Sequence, residues 1–355
     1  MKMKNRTKLQ IGTAVATAAV LGATGVASAA AAAPGIPTAV DVATDLAAHT
    51  PGTEESWNDS IYITSEVRSG GHDYGVLVHV MDFPNTDTRK FKFSVTDEKT
   101  GWYKNYVTGI DKGAFNWSKS ELDIKAPGLT WTGDANNMSI NVDAPFGSFD
   151  VRLKAKGPVL NYAGTGTFDI MGAQQFEFGL PSLQTSGTLK VKGETHRASG
   201  ETWLDRQWGP APQDAANLRW TWMNLNLPNG DKVAIWNPVN VRTEEQDSWA
   251  TVLHPNGSYD LAAVKPLADG ASGSWSSSVS GNTYPTRWRV EIPSLNTDVS
   301  VRLTGTPGQE LNMPAGAGGW AGGGSTLEAT ASFSGTYEGK KVNGKNYVEM
   351  AGNWK

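Results

Sequence analysis

From Pro51 onward, Gly, Pro, Asn and Asp cut the chain into runs of about five to eight residues whose apolar positions alternate or run on unbroken. GVLVHVMDF, KFKFSVTD, NMSINVDA, SFDVRLKAKG, GTGTFDI and GTLKVKG are of this kind, and no stretch of similar length carries a helical period. Alternation puts the apolar groups on one face of an extended strand. RWTWMNLNL-PNGD-KVAIW and SWATVLH-PNGS-YDLAAV read as hairpins turning at Pro-Asn-Gly. TRWRVEI, DVSVRLTG, TLEATASFSGTYEG and NYVEMAGNW continue the strand pattern, and QDAANL is the one helix-like loop among them. The pattern predicts an all-β chain of two antiparallel domains, residues 52–212 and 213–355, joined where Pro210 and Pro212 interrupt pairing. Residues 30–51, rich in Ala, Pro and Thr, are expected to form a flexible leader with at most a short helix in DVATDLAAH. GAGGWAGGG around Trp320 reads as a glycine-rich loop without a phosphate-binding fingerprint.

Residues 1–29 have the form of an export signal: Lys2, Lys4, Arg6 and Lys8, then the apolar IGTAVATAAVLGATGV, then ASA at Ala27–Ala29. The expected location is therefore extracellular. Cleavage there would remove four positive charges and no acid, taking the net charge from −4 to −8. A chain so acidic is poorly suited to nucleic acid or anionic lipid, and neither partner is expected, nor stable membrane insertion. With no cysteine, disulfides, thiol catalysis and thiolate metal sites are excluded.

Other site chemistries are missing too. There is no G-x-S-x-G nucleophile turn, and His49, His72, His79, His196 and His254 form no close ligand pattern, so each reads first as a structural or surface histidine and no metal is expected. Glu201 and Asp205 share a strand face, but four strand residues separate them by about 13 Å, too far for a glycosidase pair.

The densest chemistry lies in ETWLDRQW. If extended, Glu201, Trp203, Asp205 and Gln207 face one side, and Thr202, Leu204, Arg206 and Trp208 the other. An acid between an indole and an amide, short of water, would hold its proton and could donate it, while an aromatic face steadies a developing carbocation. The same spacing suits a strand that braces a domain junction, with Asp205 accepting backbone N–H bonds and Trp208 filling the seam. Spacing leaves both open.

GTLKVKGETHRASGETWLDRQWGP, the upstream FEFGLPSLQTSG, the following RWTWMNLNLPNGDKVAIW and the terminal YEGKKVNGKNYVEMAGNW together resemble the carotenoid 1,2-hydratase and AttH family, to which kievitone hydratase also belongs. The G-x-x-W-x-D-x-x-W-G line from Gly200 to Gly209 is the strongest element, and the likeness spans roughly residues 52–355. It implies two lipocalin-like β-barrel domains in tandem, with an apolar, often terpenoid, small molecule between them and no cofactor. It also implies that Asp205 protonates an alkene, beside Trp203. Where the family's hydratases carry an H-x-W-like element before a proline, this chain has Phe176-Glu177-Phe178 before Pro181, so Glu177 offers an alternative acid or base. Trp208, Trp220, Trp222, Phe176, Phe178 and Asn224 are the further candidates for lining the cleft.

The expected function is acid-assisted hydration, dehydration or cyclisation. A non-catalytic carrier of an apolar ligand is the alternative from another class, and an exported hydrolase or carbohydrate-binding protein a third. Protein recovered from culture medium is expected to begin near Ala30, as N-terminal sequencing would show; abundant soluble protein that retains Met1 would remove the export reading.

Overall fold

The computed structural model describes residues 39–212, 214–312, 324–352 and 354. The export signal, the leader before Ala39 and all of the glycine-rich run except Gly324 lie outside the described residues. The chain is all-β, as the alternation predicts: two curled antiparallel sheets in tandem, of 13 and 11 strands, with a two-stranded ribbon beside them.

Nine long strands build the region of interest and are labelled here in chain order. In the first sheet they are β1 (Trp57–Ser69), β2 (His72–Phe83), β3 (Thr88–Asp97), β4 (Ala173–Val191) and β5 (Glu194–Pro210). In the second they are β6 (Leu218–Asn226), β7 (Lys232–Asn240), β8 (Ser325–Tyr337) and β9 (Lys340–Ala351). Both sheets use one device: their first long strand pairs with their last, β1 with β5 and β6 with β9. The strand carrying ETWLDRQW is thereby central, flanked by β1 and β4. Pro181, which cannot donate to a ladder, sits where the β4–β5 register shifts, between Leu180 and Leu183.

Alternation then sorts the side chains. Ile61, Ile63, Phe91, Phe93, Phe178, Leu204 and Trp208 fill the core of the first sheet, while Met223, Leu225, Ile235, Trp288, Val299 and Phe333 fill that of the second. A third cluster, including Tyr62, Tyr162, Trp203, Trp220, Trp222, Trp236 and Tyr347, lies where the outer face of one sheet meets the other. Ion pairs join the sheets at the rim: Lys345 to Asp73 at 3.1 Å and to Glu98 at 3.0 Å, and Lys232 to Glu201 at 2.5 Å. β3 corrects a natural reading of its sequence. KFKFSVT looks half-exposed, yet Lys90 and Lys92 are only 2% and 4% exposed, because a second sheet covers their face.

The leader departs from expectation as well. From Ala39 it is docked rather than loose. Asp41 caps the short helix Val42–Asp45 through a 3.0 Å bond from Ala43 N, and Leu46 is buried in the first core. His49 stacks on Trp208 with ring centroids 4.0 Å apart, and its backbone N–H bonds Asp59 at 2.8 Å. Everything here converges on Arg206, which is fully buried. It pairs with Asp59 across the β1–β5 ladder, donates to Ala47 O at 2.7 Å and to Ser60 O at 3.0 Å, and lies 4.4 Å over the Trp117 ring. Arg206→Met, which strands a buried carboxylate, is expected to cost about 3–5 kcal/mol in urea unfolding; a change below about 1 kcal/mol would show that the pair does not hold this seam.

Candidate active site

The register of the first sheet lays side chains out in two parallel rungs. Lys92, His79, Tyr62, Asp205 and Gly179 stand opposite one another across β3, β2, β1, β5 and β4. One pleat along, Lys90, Met81, Ser60, Gln207 and Glu177 do the same. All the side chains of these rungs point away from the first core and toward the second sheet, whose Trp220, Trp222, Trp236, Thr326 and Glu349 complete the cavity. Its free volume of about 80 Å3 suits a slender or flat ligand segment rather than a globular one. A roomier recess of about 620 Å3 lies beside the crossover, lined by Glu54, Phe83, Thr88 and Pro212 among others. It gathers none of the buried titratable groups found in the narrow cleft.

Asp205 is held on all sides. Trp203 Nε1 donates to its Oδ1 at 2.7 Å, Tyr162 also hydrogen-bonds it, and Trp222 Nε1 donates to the Tyr162 hydroxyl at 3.1 Å. Opposite it stands Gly179, where an added methyl carbon would lie 2.8 Å from Asp205 Oδ1, so the glycine makes room for the carboxyl. Glu177 is a diagonal neighbour of Asp205 on the same sheet face. It is 2% exposed, and its Oε2 has no hydrogen-bond partner among the described residues.

Burial dominates the electrostatics. It lifts Asp205 to about 8, against the pull of the Trp203 and Tyr162 bonds and helped by Glu349. Burial also raises Glu177 well above the usual carboxylate range, with Asp205 and Glu349 adding repulsion. Glu349 and Glu328, on the second sheet, are raised by the same desolvation; Glu349 accepts from Trp220 Nε1 at 2.7 Å and Glu328 from the Tyr62 hydroxyl at 3.1 Å. At the other end His79 is held well below its ordinary value, first by burial and then by Lys92 and Lys90, and its Nε2 meets Ser60 Oγ at 2.8 Å. The carboxyl end of the cleft therefore favours proton-holding acids, and the lysine end favours a neutral imidazole. Among the described residues no group of three His, Asp or Glu side chains could hold a metal ion, and no helix is long and apolar enough to cross a membrane.

Of the residues picked out in the sequence, Asp205, Glu177, Trp203, Trp220 and Trp222 come together here. Trp208, Phe176 and Phe178 do not. They carry the opposite strand parity and pack on the core side, Trp208 stacked between His49 and Phe176 (5.6 Å) and edge-on to Phe178 (6.4 Å). Asn224 is also off the cavity: its Oδ1 accepts from Tyr347 N at 2.8 Å, bracing β6 against β9. The lining residues that went unread include Ser60, Tyr62, His79, Lys90, Lys92, Trp236 and Glu349. His79 had a signal, as the one imidazole within the apolar run GVLVHVM, and Glu349 and Trp236 lie inside segments that carry the family resemblance.

Comparison with known proteins gives a consistent result. The family described as AttH-like matches residues 36–353. Kievitone hydratase of Fusarium solani subsp. phaseoli is 27% identical over 317 residues, covering 84% of this chain and 83% of that protein. Dehydratase asqC of Emericella nidulans is 26% identical over 339 residues, 89% of each. The crystal structure of kievitone hydratase from Nectria haematococca superposes with a TM-score of 0.71 at 23% identity, covering 90% of this chain and 98% of that one, which shows a shared fold.

The raised carboxyl has a thermodynamic signature. An acid whose folded pKa lies above its unfolded one imposes no penalty below the unfolded value, near 4. It then destabilises progressively as pH rises through the window up to the folded value of about 8. Urea stability is expected to fall between about pH 5 and 8, by at most about 1.4 kcal/mol per pH unit for each retained proton. Asp205→Asn should flatten that slope; an unchanged slope in the variant would show that Asp205 ionises normally.

Proposed function

The chain belongs to the AttH-like family, and on that premise we propose that it hydrates an alkene, or dehydrates the corresponding alcohol, in an apolar small molecule held between its two sheets. One observation carries the proposal: a carboxyl that keeps its proton, Asp205, fixed by Trp203 and Tyr162 and faced by the indoles of Trp220 and Trp222. The two curated relatives, a hydratase and a dehydratase, support the same pair of directions.

In the hydration direction the alkene π pair takes the Asp205 proton, forming a C–H bond and leaving a carbocation at the more substituted carbon. The electron-rich indole faces lower the energy of that cation, and a dry cleft keeps the acid neutral until the alkene arrives. Water then forms the C–O bond and releases a proton. Glu177, diagonal to Asp205 on the same face and itself protonated, can relay it: one oxygen takes that proton as the other gives its own to the Asp205 carboxylate, restoring both groups. Dehydration runs the same steps backwards, with Asp205 as the base that removes the carbon-bound proton. Export is part of this reading, supported by the basic start and the ASA site.

Asp205→Asn keeps the shape of the side chain but has no acidic proton to give. It is expected to stay folded and retain ligand binding while losing about 10²- to 10⁴-fold in turnover. The check is product formation and thermal unfolding on one preparation, with substrate candidates found by mass spectrometry of copurifying small molecules. Full turnover in Asp205→Asn would leave an enzyme whose acid is Glu177, whereas ligand binding without product in the wild type would leave a carrier.

A further inference from the structure

The cleft is charged asymmetrically along its length, and the carboxyl chemistry uses only one end. The other end is built from Lys92, Lys90, His79 and Ser60, all 8% exposed or less and all lining the same cavity. Lysines are seldom buried without a partner of opposite charge. Among the described residues neither an ion pair nor a hydrogen bond engages Lys92. Neither nearby carboxyl pairs with it, although Glu328 Oε1 has no hydrogen-bond partner among the described residues. Glu328 receives the Tyr62 hydroxyl and Glu349 the Trp220 indole N–H, although both feel the Lys92 charge. Burial, and after it the Lys92 charge, lowers Lys90 to about 8. Two ammonium groups, a neutral imidazole and a hydroxyl thus converge on a space from which water is largely excluded.

We propose that this end is a head-group subsite for an oxyanion, such as a carboxylate, phenolate or enolate oxygen, carried at one end of an otherwise apolar ligand. The inference rests on the proposed function, since it specifies what else the substrate of that reaction must carry. The register sets the spacing. Lys92 and Asp205 lie on the same rung three strand spacings apart, about 14 Å between Cα positions along the sheet. Between them lie Tyr62 and His79, edge to face with ring centroids 5.1 Å apart, under the Trp222 indole. A ligand that fits has an acidic head, a flat or slender apolar middle, and its reacting carbon at the far end. The lysines bind the head by charge-assisted hydrogen bonds and so place the alkene at Asp205. A neutral terpene hydrocarbon would leave the Lys92 ammonium facing apolar atoms.

Decanoate and 1-decanol, equal in chain length and differing in head charge, are suitable probes for the full mature chain, read by fluorescence of the cleft tryptophans at pH 7. Decanoate is expected to bind at least about tenfold tighter than decanol, as a charge-assisted pair in a partly dry site implies. Lys92→Met should remove most of that preference while leaving decanol affinity within about twofold, with thermal unfolding confirming that the variant is folded. Equal affinity of wild type for the two probes, no decanoate binding, or a preference that survives in both Lys92→Met and Lys90→Met would overturn the subsite. The wild-type comparison needs no variant to fold. Asp205→Asn separates the two proposals: it should keep the decanoate preference and lose turnover. An inactive Asp205→Asn beside a wild type blind to head charge would sink the subsite alone. A fully active one with the preference intact would sink the acid chemistry alone.

Discussion

The pairing of Arg206 with Asp59 across the β1–β5 ladder fixes what the rest of the molecule can do. It joins a fully buried guanidinium on one strand to a buried carboxylate on the next, and it draws in the docked leader through Ala47 and His49. Strands repeat every two residues, so a slip by one would turn each inward side chain outward. With Arg206 anchored toward the core, Trp203, Asp205 and Gln207 must face the second sheet. An isolated buried pair contributes little net stability compared with an apolar replacement. Its effect here is on register, and register decides which residues meet in the cleft.

The cleft is energetically the opposite of the cores. Each core is a well-filled apolar cluster, whereas the space between the sheets holds four carboxyls, two lysines and a histidine in which burial is the leading cause of the resolved shifts. Desolvation makes each group keep its neutral form, or makes its charged form seek an opposite partner. Indole N–H groups and tyrosine hydroxyls answer three of the four carboxyls: Trp203 and Tyr162 for Asp205, Trp220 for Glu349 and Tyr62 for Glu328. Tryptophan thus has a local use, giving Asp205 and Glu349 a donor that is itself apolar elsewhere.

Much of this was legible before any coordinates. Two-residue alternation and turn residues gave the strands, and the parity of ETWLDRQW correctly split Asp205 and Trp203 from Arg206 and Trp208. The same parity also separates Glu177 from Phe176 and Phe178, so placing those two rings and Trp208 in the cleft conflicted with information already in the strand. What could not be read was the covering of one sheet by another. KFKFSVT looks the same whether its lysines meet water or a second sheet, and His79 in GVLVHVM looks the same whether it faces a cavity or a neighbour. The docking of the leader was hidden for a related reason: Leu46 and His49 are anchored by Trp117 and Trp208, contacts between positions far apart in the chain.

The cleft draws its walls from two separate stretches of chain. Strands β1 to β5 carry the acids Asp205 and Glu177 and the lysines, while β6 to β9 carry Trp220, Trp222, Trp236 and Glu349. For a lineage of such proteins this is a division of labour between inheritance and experiment. The half that holds the proposed proton donor is constrained at every position by register, by Gly179 and by the Arg206 anchor. The aromatic half meets it mainly through side chains, so substitutions there, away from Trp222 and Glu349, reshape the cavity without changing the strand that carries the acid. New substrates can be reached by altering one sheet while the chemistry is kept in the other.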